Sequence, residues 1–142
     1  MIHLFLDTNI VIDFLTDRKP FSSLAGRLFD YSEKGEVNLY LSAISYNNIY
    51  YVVRKVSSHK ETIRILGRLL EMTEIIDLTS SSIKESLNSD FNDFEDALQF
   101  YSAKLNPNIS GIVTRNGVDF KHSSIAIFTP EEAIKFVESA SR

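Results

Sequence analysis

Carboxylates stand at three places in the chain where a predicted strand ends or a predicted helix begins. Asp7 follows the apolar run of residues 2–6, Asp96 lies in the first turn of a helix that begins near residue 93, and Asp119 follows a later apolar run. Ligands of open α/β sheets bind beyond the carboxyl ends of the strands. Carboxylate oxygens bind hard divalent cations such as Mg²⁺ and Mn²⁺, and such cations assist reactions of phosphates. The three acids therefore predict a divalent-metal site for phosphate chemistry.

Structural roles also explain acids in the first part of the chain. Asp7 precedes Thr8 and Asn9, and all three residue types can cap the helix that follows. Asp13, inside that helix, is compatible both with a role in the site and with simple exposure to solvent. We favour a site role for Asp7, because acids at strand ends of such sheets are often functional.

Asp93 and Asp96 are three residues apart in one helical turn, so they share a face of the helix. The helix dipole favours an acid such as Asp93 there without any function. Asp96 differs, because it adjoins the predicted core positions Ala97 and Leu98. A partly buried carboxylate requires a partner, and a cation is a suitable one.

Composition limits the classes of function. The 142 residues are enough for one domain, which we expect to span residues 1–142. The formal charge of −4 implies no general surface for polyanions. There is no cysteine, which excludes thiolate metal sites, and the three histidines (His3, His59 and His122) show no ligand spacing. The absence of a signal-like or membrane-spanning segment favours a cytoplasmic protein.

Hydrophobic patterning predicts strands that alternate with helices, which favours a parallel sheet covered by helices on both faces. Helix starts are expected at Asn92, with Glu95 three residues later, at Ser82, with Glu85, and at Thr129 before Pro130. The predicted strands cover residues 2–6, 37–41, 75–76, 111–113 and 125–128, and the main predicted helices cover residues 9–15, 45–56, 60–71, 82–87, 93–105 and a segment from 130 onward. Leu24, Leu28 and Phe29 recur at helical spacing in a further predicted helix, and Gly35 after Lys34 is its expected C-terminal cap.

A polar loop follows the strand at residues 111–113. It contains Thr114 and Asn116, which form hydrogen bonds, and the acid Asp119. Turn chemistry alone explains an asparagine followed by a glycine. The three polar groups together near a strand end carry more weight as parts of a site. Arg115 adds a positive charge beside them.

Taken in order, these segments resemble the PIN domain, the family of VapC-like toxin ribonucleases. The resemblance spans nearly the whole chain, and its motifs are short but fall in the family's order and separation. The matching stretches are Phe5-Leu6-Asp7-Thr8-Asn9, Asp93-Phe94-Glu95-Asp96-Ala97-Leu98-Gln99, Val113-Thr114-Arg115-Asn116 with Asp119-Phe120, and Phe128-Thr129-Pro130-Glu131-Glu132.

The resemblance implies a three-layer α/β/α sandwich with a central parallel sheet. It also implies metal-dependent cleavage of RNA, with Mg²⁺ or Mn²⁺ as cofactor and products that carry a 5′-phosphate and a 3′-hydroxyl. Asp7 matches the first acid of the family and Asp96 the third, so these two residues are expected to hold the metal. RNA, an antitoxin protein and a second copy of the chain, forming a homodimer, are the partners that the resemblance implies.

Two positions depart from the family pattern. The second acid falls on Asn48 and the fourth on Asn116, and an amide oxygen can ligate a hard cation but brings no charge. Asp93 and Asp119 are the acids placed to compensate, through direct contact or bound water. Asn48, Asn116 and Thr114 are expected to orient phosphate or water.

Two groups of basic residues are candidates for contact with the RNA backbone. Arg115 is the stronger single candidate, because it neighbours the expected site. Lys60, Arg64 and Arg68 recur at four-residue spacing and form a basic stripe on one helix. Such a stripe positions phosphates in some proteins and is a solvated face in many more.

Two alternatives remain open from the sequence. A haloacid dehalogenase-type phosphatase also begins with a strand and an aspartate, but its chemistry requires a second aspartate where this chain has Asn9. The other alternative is a catalytically weak or inactive PIN-like domain that binds RNA or protein. Asn48 and Asn116 support it, and metal-dependent cleavage separates it from the nuclease.

Overall fold

The computed structural model describes residues 1–121 and 123–140, and His122 lies outside the described residues. In those residues five strands alternate with seven α-helices. The strands are β1 (Ile2–Leu6), β2 (Val37–Ser42), β3 (Glu74–Ile76), β4 (Gly111–Val113) and β5 (Ile127–Phe128), and the helices are α1 (Thr8–Leu15), α2 (Ser22–Glu33), α3 (Ala43–Arg54), α4 (His59–Met72), α5 (Ser80–Leu87), α6 (Phe94–Ala103) and α7 (Pro130–Ala140), with a short 3₁₀ helix at Gly117–Phe120.

The sheet is parallel throughout, in the order β3-β2-β1-β4-β5. The central strand β1 pairs Leu4 with Leu39 on one side and with Gly111 on the other. Because β1 is central, the residue that follows it lies at the middle of the sheet's carboxyl edge. That residue is Asp7.

Helices cover both faces of the sheet, as the alternation of side chains along β1 requires. Leu4 and Leu6 belong to a core that also contains side chains of α1, α2, α3, α4 and α7. Phe5 points the other way, into a core with Phe100 of α6 and Phe120 of the 3₁₀ helix. Helix α5 packs beside α6. The three-layer α/β/α fold expected from the sequence is therefore confirmed.

Two local signals in the sequence are confirmed. Gly35 follows α2 with φ of 76°, a left-handed conformation that glycine adopts without strain. The hydroxyl of Thr129 accepts a hydrogen bond from the Glu132 amide at 3.1 Å, and the Glu132 carboxylate accepts one from the Thr129 amide at 2.8 Å. This reciprocal capping box begins α7.

Two expected helix caps are wrong, one by a single residue and the other by three residues. Asp93, not Asn92, caps α6, because the Asp93 side chain accepts a hydrogen bond from the Asp96 amide at 3.0 Å. Helix α5 begins at Ser80, and its cap is Thr79, whose hydroxyl accepts from the Ser82 amide at 3.1 Å. In both places several adjacent residues have capping side chains, so local sequence does not choose among them.

The last strand is shorter than expected. The hydroxyl of Ser123 donates to the Ile125 carbonyl at 2.7 Å and accepts from the Ile125 amide at 3.0 Å. These bonds fold Ile125 into a turn, so β5 begins only at Ile127. No helix in the described residues is long and apolar enough to cross a membrane.

Candidate active site

Asp7 is fixed by neutral hydrogen-bond donors on both oxygens of its carboxyl group. Its Oδ1 accepts from Gln99 Nε2 at 3.1 Å, and its Oδ2 accepts from the Thr114 hydroxyl at 2.8 Å. Asp7 stands at the N-cap position of α1, but its side chain makes no capping hydrogen bond. The two donors hold the carboxylate at the middle of the carboxyl edge.

The amide of Gln99 is oriented by the residue after Asp7. Gln99 Oε1 accepts from the Thr8 amide at 3.0 Å and from the Thr8 hydroxyl at 3.2 Å, so its Nε2 faces Asp7. The Thr8 hydroxyl also lies 2.7 Å from the hydroxyl of Ser45 on α3. This buried network joins α1, α3 and α6 around one carboxylate.

The hydroxyl of Thr114 is oriented in the same manner. Thr114 Oγ1 accepts from the Asn116 amide at 3.1 Å, which leaves its proton free to point at Asp7. The Thr114 amide donates to the Phe128 carbonyl at 2.9 Å, and the Asp7 amide donates to the Val113 carbonyl at 2.9 Å. Strands β4 and β5 thus place the hydroxyl beside the end of β1.

A cleft of about 300 Å³ opens in front of Asp7. The first turn of α6 brings acids to one wall of this cleft, and α3 brings Asn48 to it. Asp119 enters from the 3₁₀ helix. The residues that line the cleft are Asp7, Thr8, Asn9, Ile12, Asn48, Val52, Asp93, Glu95, Asp96 and Asp119.

Negative charge accumulates in this cleft without a basic partner. Burial raises the pKa of Asp96 to about 7, and the neighbouring carboxylates, first of all Asp7 and Asp93, add to the rise. Burial also raises the pKa of Asp7, although its hydrogen bonds to Thr114 and Gln99 oppose this. Within residues 1–121 and 123–140, no lysine or arginine forms an ion pair with any acid that lines the cleft.

The donors of the cleft fit a hard divalent cation. They are carboxylate and amide oxygens, which favour Mg²⁺ or Mn²⁺ over zinc. In the described part of the chain, however, no three acidic or histidine side chains already converge as a metal-binding group. Magnesium commonly takes one or two carboxylates and keeps several waters, so a site built on Asp7 and Asp96 does not require a third converged acid.

A family model described as a PIN domain matches residues 3–117, which is most of the chain. The chain belongs to the PIN domain family. No curated protein sequence matches it.

Solved structures of toxin-antitoxin proteins have the same fold. VapBC2 of Rickettsia felis, bound to a DNA fragment from its promoter, is 19% identical, with a TM-score of 0.64 over 90% of this chain and 98% of that one. A toxin-antitoxin complex from Klebsiella pneumoniae is 23% identical, with a TM-score of 0.65 over 89% and 97%. VapC20 of Mycobacterium tuberculosis, described as a toxin that cleaves the sarcin-ricin loop, is 15% identical, with a TM-score of 0.65 over 84% and 94%.

Three of the four expected substrate-orienting residues, Thr114, Asn116 and Arg115, do not line the cleft of this PIN domain. Thr114 is buried and donates its hydroxyl proton to Asp7. The side chain of Asn116 is exposed and does not line the cleft, and only its backbone amide acts there, through Thr114. The guanidinium of Arg115 is bound to Asp13. Asp13 is 1% exposed, so the interpretation that its side chain simply faces solvent is wrong.

The basic stripe on α4 also lies outside the cleft. It borders a separate groove that Arg64 and Arg68 line together with Phe14 and Leu15 of α1. Arg64 is paired with Glu61 on the same helix. The groove therefore carries charges of both signs rather than a continuous basic surface.

Gln99, which donates to Asp7, and Ser45, which contacts Thr8, were not among the site residues predicted from the sequence of this PIN domain. Gln99 is 0% exposed, and Ser45 is also fully buried. A polar side chain between core positions of an amphipathic helix is the signal that could have found Gln99, since buried polar groups require partners. Glu95, which was interpreted only as part of a helix start, lines the cleft.

Proposed function

We propose that this PIN domain is a metal-dependent endoribonuclease that acts as the toxin of a toxin-antitoxin pair. The observation that carries the proposal is the cleft at the carboxyl edge, where Asp7 is held by two neutral donors and faces Asp96. Burial first, and the neighbouring carboxylates second, raise the pKa of Asp96, and a bound cation would stabilise its charged form. Strongly perturbed acids in a cleft are typical of functional sites.

In this proposal Asp7 and Asp96 hold Mg²⁺ or Mn²⁺, with Asp93 and Asp119 contributing through direct contact or bound water. When bound, such an ion polarises the scissile phosphate and lowers the pKa of the attacking water. Among the described residues that line the cleft, there is no histidine or cysteine that could act as a nucleophile. Hydrolysis by an activated water is therefore the chemistry that fits the cleft.

The chain's own residues orient the reaction. Gln99 and Thr114 each donate one hydrogen bond to Asp7, which keeps this carboxyl group an acceptor and fixes the direction of its remaining lone pairs. Asn48 lines the opposite wall on α3 and orients phosphate or water through its amide group. Burial and the neighbouring carboxylates raise the pKa of Asp96 to about 7, so its carboxyl group would have to be deprotonated to hold a cation.

The proposed partners follow from the same fold. RNA is the substrate, a small antitoxin protein blocks the cleft, and a second copy of the chain forms a homodimer. The Rickettsia and Klebsiella structures are toxin-antitoxin proteins, and the Mycobacterium toxin is described as cleaving the sarcin-ricin loop. These likenesses support the toxin assignment through fold.

The test is cleavage of an end-labelled structured RNA by the purified protein in Mn²⁺. We expect cleavage by the wild type, and its loss in EDTA and in Asp96→Asn. Asp30→Asn is the matched control, because Asp30 is an exposed acid on α2 outside the cleft, and it should cleave as the wild type does. Equal cleavage by Asp96→Asn and Asp30→Asn would remove Asp96 from the site.

The second candidate function is binding of RNA or protein without cleavage. It is favoured by Asn48, which stands where the family has an acid, and by the absence of three converged ligands in the described residues. Under this alternative, a gel-shift assay detects an RNA complex in the wild type while no Mn²⁺ concentration produces fragments. Fragments that depend on Mn²⁺ exclude it.

A further inference from the structure

A second acid of α1 is buried, and it is neutralised inside the protein. Asp13 is 1% exposed, and Arg115 Nε donates to its Oδ2 at 2.7 Å while Arg115 Nη2 donates to its Oδ1 at 3.3 Å. Arg18 Nη1 lies 3.5 Å from Asp13 Oδ1. The face of the Arg115 guanidinium lies 3.9 Å from the ring centroid of Phe21. Two charge-assisted bonds and one stacked ring fix this guanidinium in place.

The pair connects the same two segments that meet at Asp7. Asp13 lies within α1, and Asp7 is the N-cap residue of the same helix. Arg115 and Thr114 are adjacent in the loop after β4. The loop is thus joined to α1 at two points, through Arg115 to Asp13 and through the Thr114 hydroxyl to Asp7.

The ion pair between Arg115 and Asp13 is linked to the Thr114 hydroxyl through the backbone. Residue 116 follows Arg115 directly, and its amide donates to Thr114 Oγ1 at 3.1 Å. This bond orients the Thr114 proton toward Asp7. A shift of the Arg115 backbone therefore moves both the amide that orients Thr114 and the chain that leads to Asp119.

We propose that Arg115, bound to Asp13, is a positioning residue of the cleft and does not bind the RNA. The inference rests on the proposed nuclease function, and it assigns to Arg115 a role other than phosphate contact. Two of its nitrogen atoms are committed to Asp13 and one face is covered by Phe21. Its side chain is 27% exposed, which leaves little of it for an RNA backbone.

The experiment compares Arg115→Gln with Arg18→Gln in Mn²⁺-dependent cleavage, measured as kcat and KM at two salt concentrations. Both variants remove a guanidinium from Asp13, but Arg18 has a side chain that is 44% exposed and a longer contact. We expect Arg115→Gln to lower kcat about 10-fold to 100-fold, the usual effect of losing a group that supports a metal ligand. Arg18→Gln should stay within about threefold of the wild type, as for other exposed ion pairs.

A positioning role predicts that KM and its salt dependence stay unchanged in Arg115→Gln. An RNA contact predicts the reverse, namely a raised KM, a weaker salt dependence and an unchanged kcat. That second pattern would overturn the inference. The double variant Asp13→Leu/Arg115→Met guards against simple unfolding, because an apolar replacement of a buried pair retains stability. It should fold and show the same loss of kcat, and a wild-type kcat in this variant also overturns the inference.

Amide hydrogen exchange separates this inference from the nuclease proposal. We expect faster exchange of the Asn116 amide in Arg115→Gln than in Arg18→Gln, whether or not the protein cleaves RNA. A wild type that never cleaves, together with this acceleration, refutes the nuclease and supports the tie from Arg115 to Thr114. Unchanged exchange at Asn116 refutes the tie even if the wild type is an active nuclease.

Discussion

Asp7 and Asp13 are two buried carboxylates on one short helix segment, and they have opposite surroundings. Asp13, 1% exposed, faces two arginines. Asp7, 6% exposed, faces only the neutral donors Gln99 and Thr114, with further carboxylates beyond them. Burial of a charge is costly unless an opposite charge or hydrogen bonds compensate it. Among the described residues, two arginines pair with Asp13, whereas no lysine or arginine forms an ion pair with Asp7.

The difference fits a structural role for Asp13 and the chemical role that we propose for Asp7. A carboxylate already paired with arginine has little to offer an external ion. A carboxylate oriented by neutral hydrogen bonds, in a cleft of uncompensated acids, keeps its charge available. Burial raises the pKa of Asp7, although its hydrogen bonds to Thr114 and Gln99 oppose the rise. The comparison thus supports a metal at Asp7 and a structural pair at Asp13.

The strongest way to break the comparison is the same substitution at both positions, measured as RNA cleavage. Asp7→Asn removes one charge from the proposed metal site, so we expect kcat/KM to fall by more than about 100-fold, beyond the usual effect of supporting residues. Its fold should persist, because the new amide nitrogen can donate to Thr114 Oγ1. The measurement is Mn²⁺-dependent cleavage together with a circular dichroism spectrum. Wild-type cleavage by a folded Asp7→Asn variant would contradict the assignment of Asp7.

When unfolding is measured, the substitution at Asp13 should have a larger effect than the substitution at Asp7. Asp13→Asn leaves the Arg115 guanidinium without its carboxylate, so we expect a loss of about 3 kcal/mol in the free energy of unfolding, the lower end of the range for breaking buried pairs. Asp7→Asn, which breaks no ion pair, should cost less than about 1 kcal/mol. Urea denaturation of the metal-free proteins measures both. Equal midpoints for the two variants would show that the arginines contribute nothing particular at Asp13.

Local patterns of the sequence were enough to predict the architecture and the acids of the cleft. The apolar run before Asp7 and the amphipathic helix that carries Asp96 are short-range signals, and both elements appear at the expected places. The parallel sheet follows from the alternation of strands and helices. The assignment of these acids to a metal remains a prediction.

The contacts that distinguish Asp7 from Asp13 join distant parts of the chain, which explains why the sequence did not reveal them. Arg115 and Asp13 are 102 residues apart, and Gln99 and Asp7 are 92 apart. Sequence spacing placed Arg115 beside the site and so suggested RNA contact. Only the packing of the β4 loop against α1 shows that its guanidinium is already bound. The choice of Asp93 over Asn92 as a cap was undecidable for a different reason, since both side chains cap helices equally well.

The smallest expected effect concerns the stability of the metal-free protein as the pH changes. The pKa of Asp96 is about 7 in the folded protein and near the ordinary value of 3.8 in the unfolded chain. Between these two values the folded state binds the extra proton, so stability should fall as the pH rises from about 4 to 7 and then level off. The raised pKa of Asp7 acts in the same direction.

In EDTA, Asp96→Asn should therefore melt a few degrees above the wild type at pH 8, with a smaller difference at pH 5. Added Mn²⁺ should raise the wild-type melting temperature at pH 8 more than that of the variant. If Asp96→Asn and the wild type melted at the same temperature at both pH 8 and pH 5 in EDTA, the carboxyl group of Asp96 would be compensated by the protein, as that of Asp13 is, and the contrast between the two regions would fail.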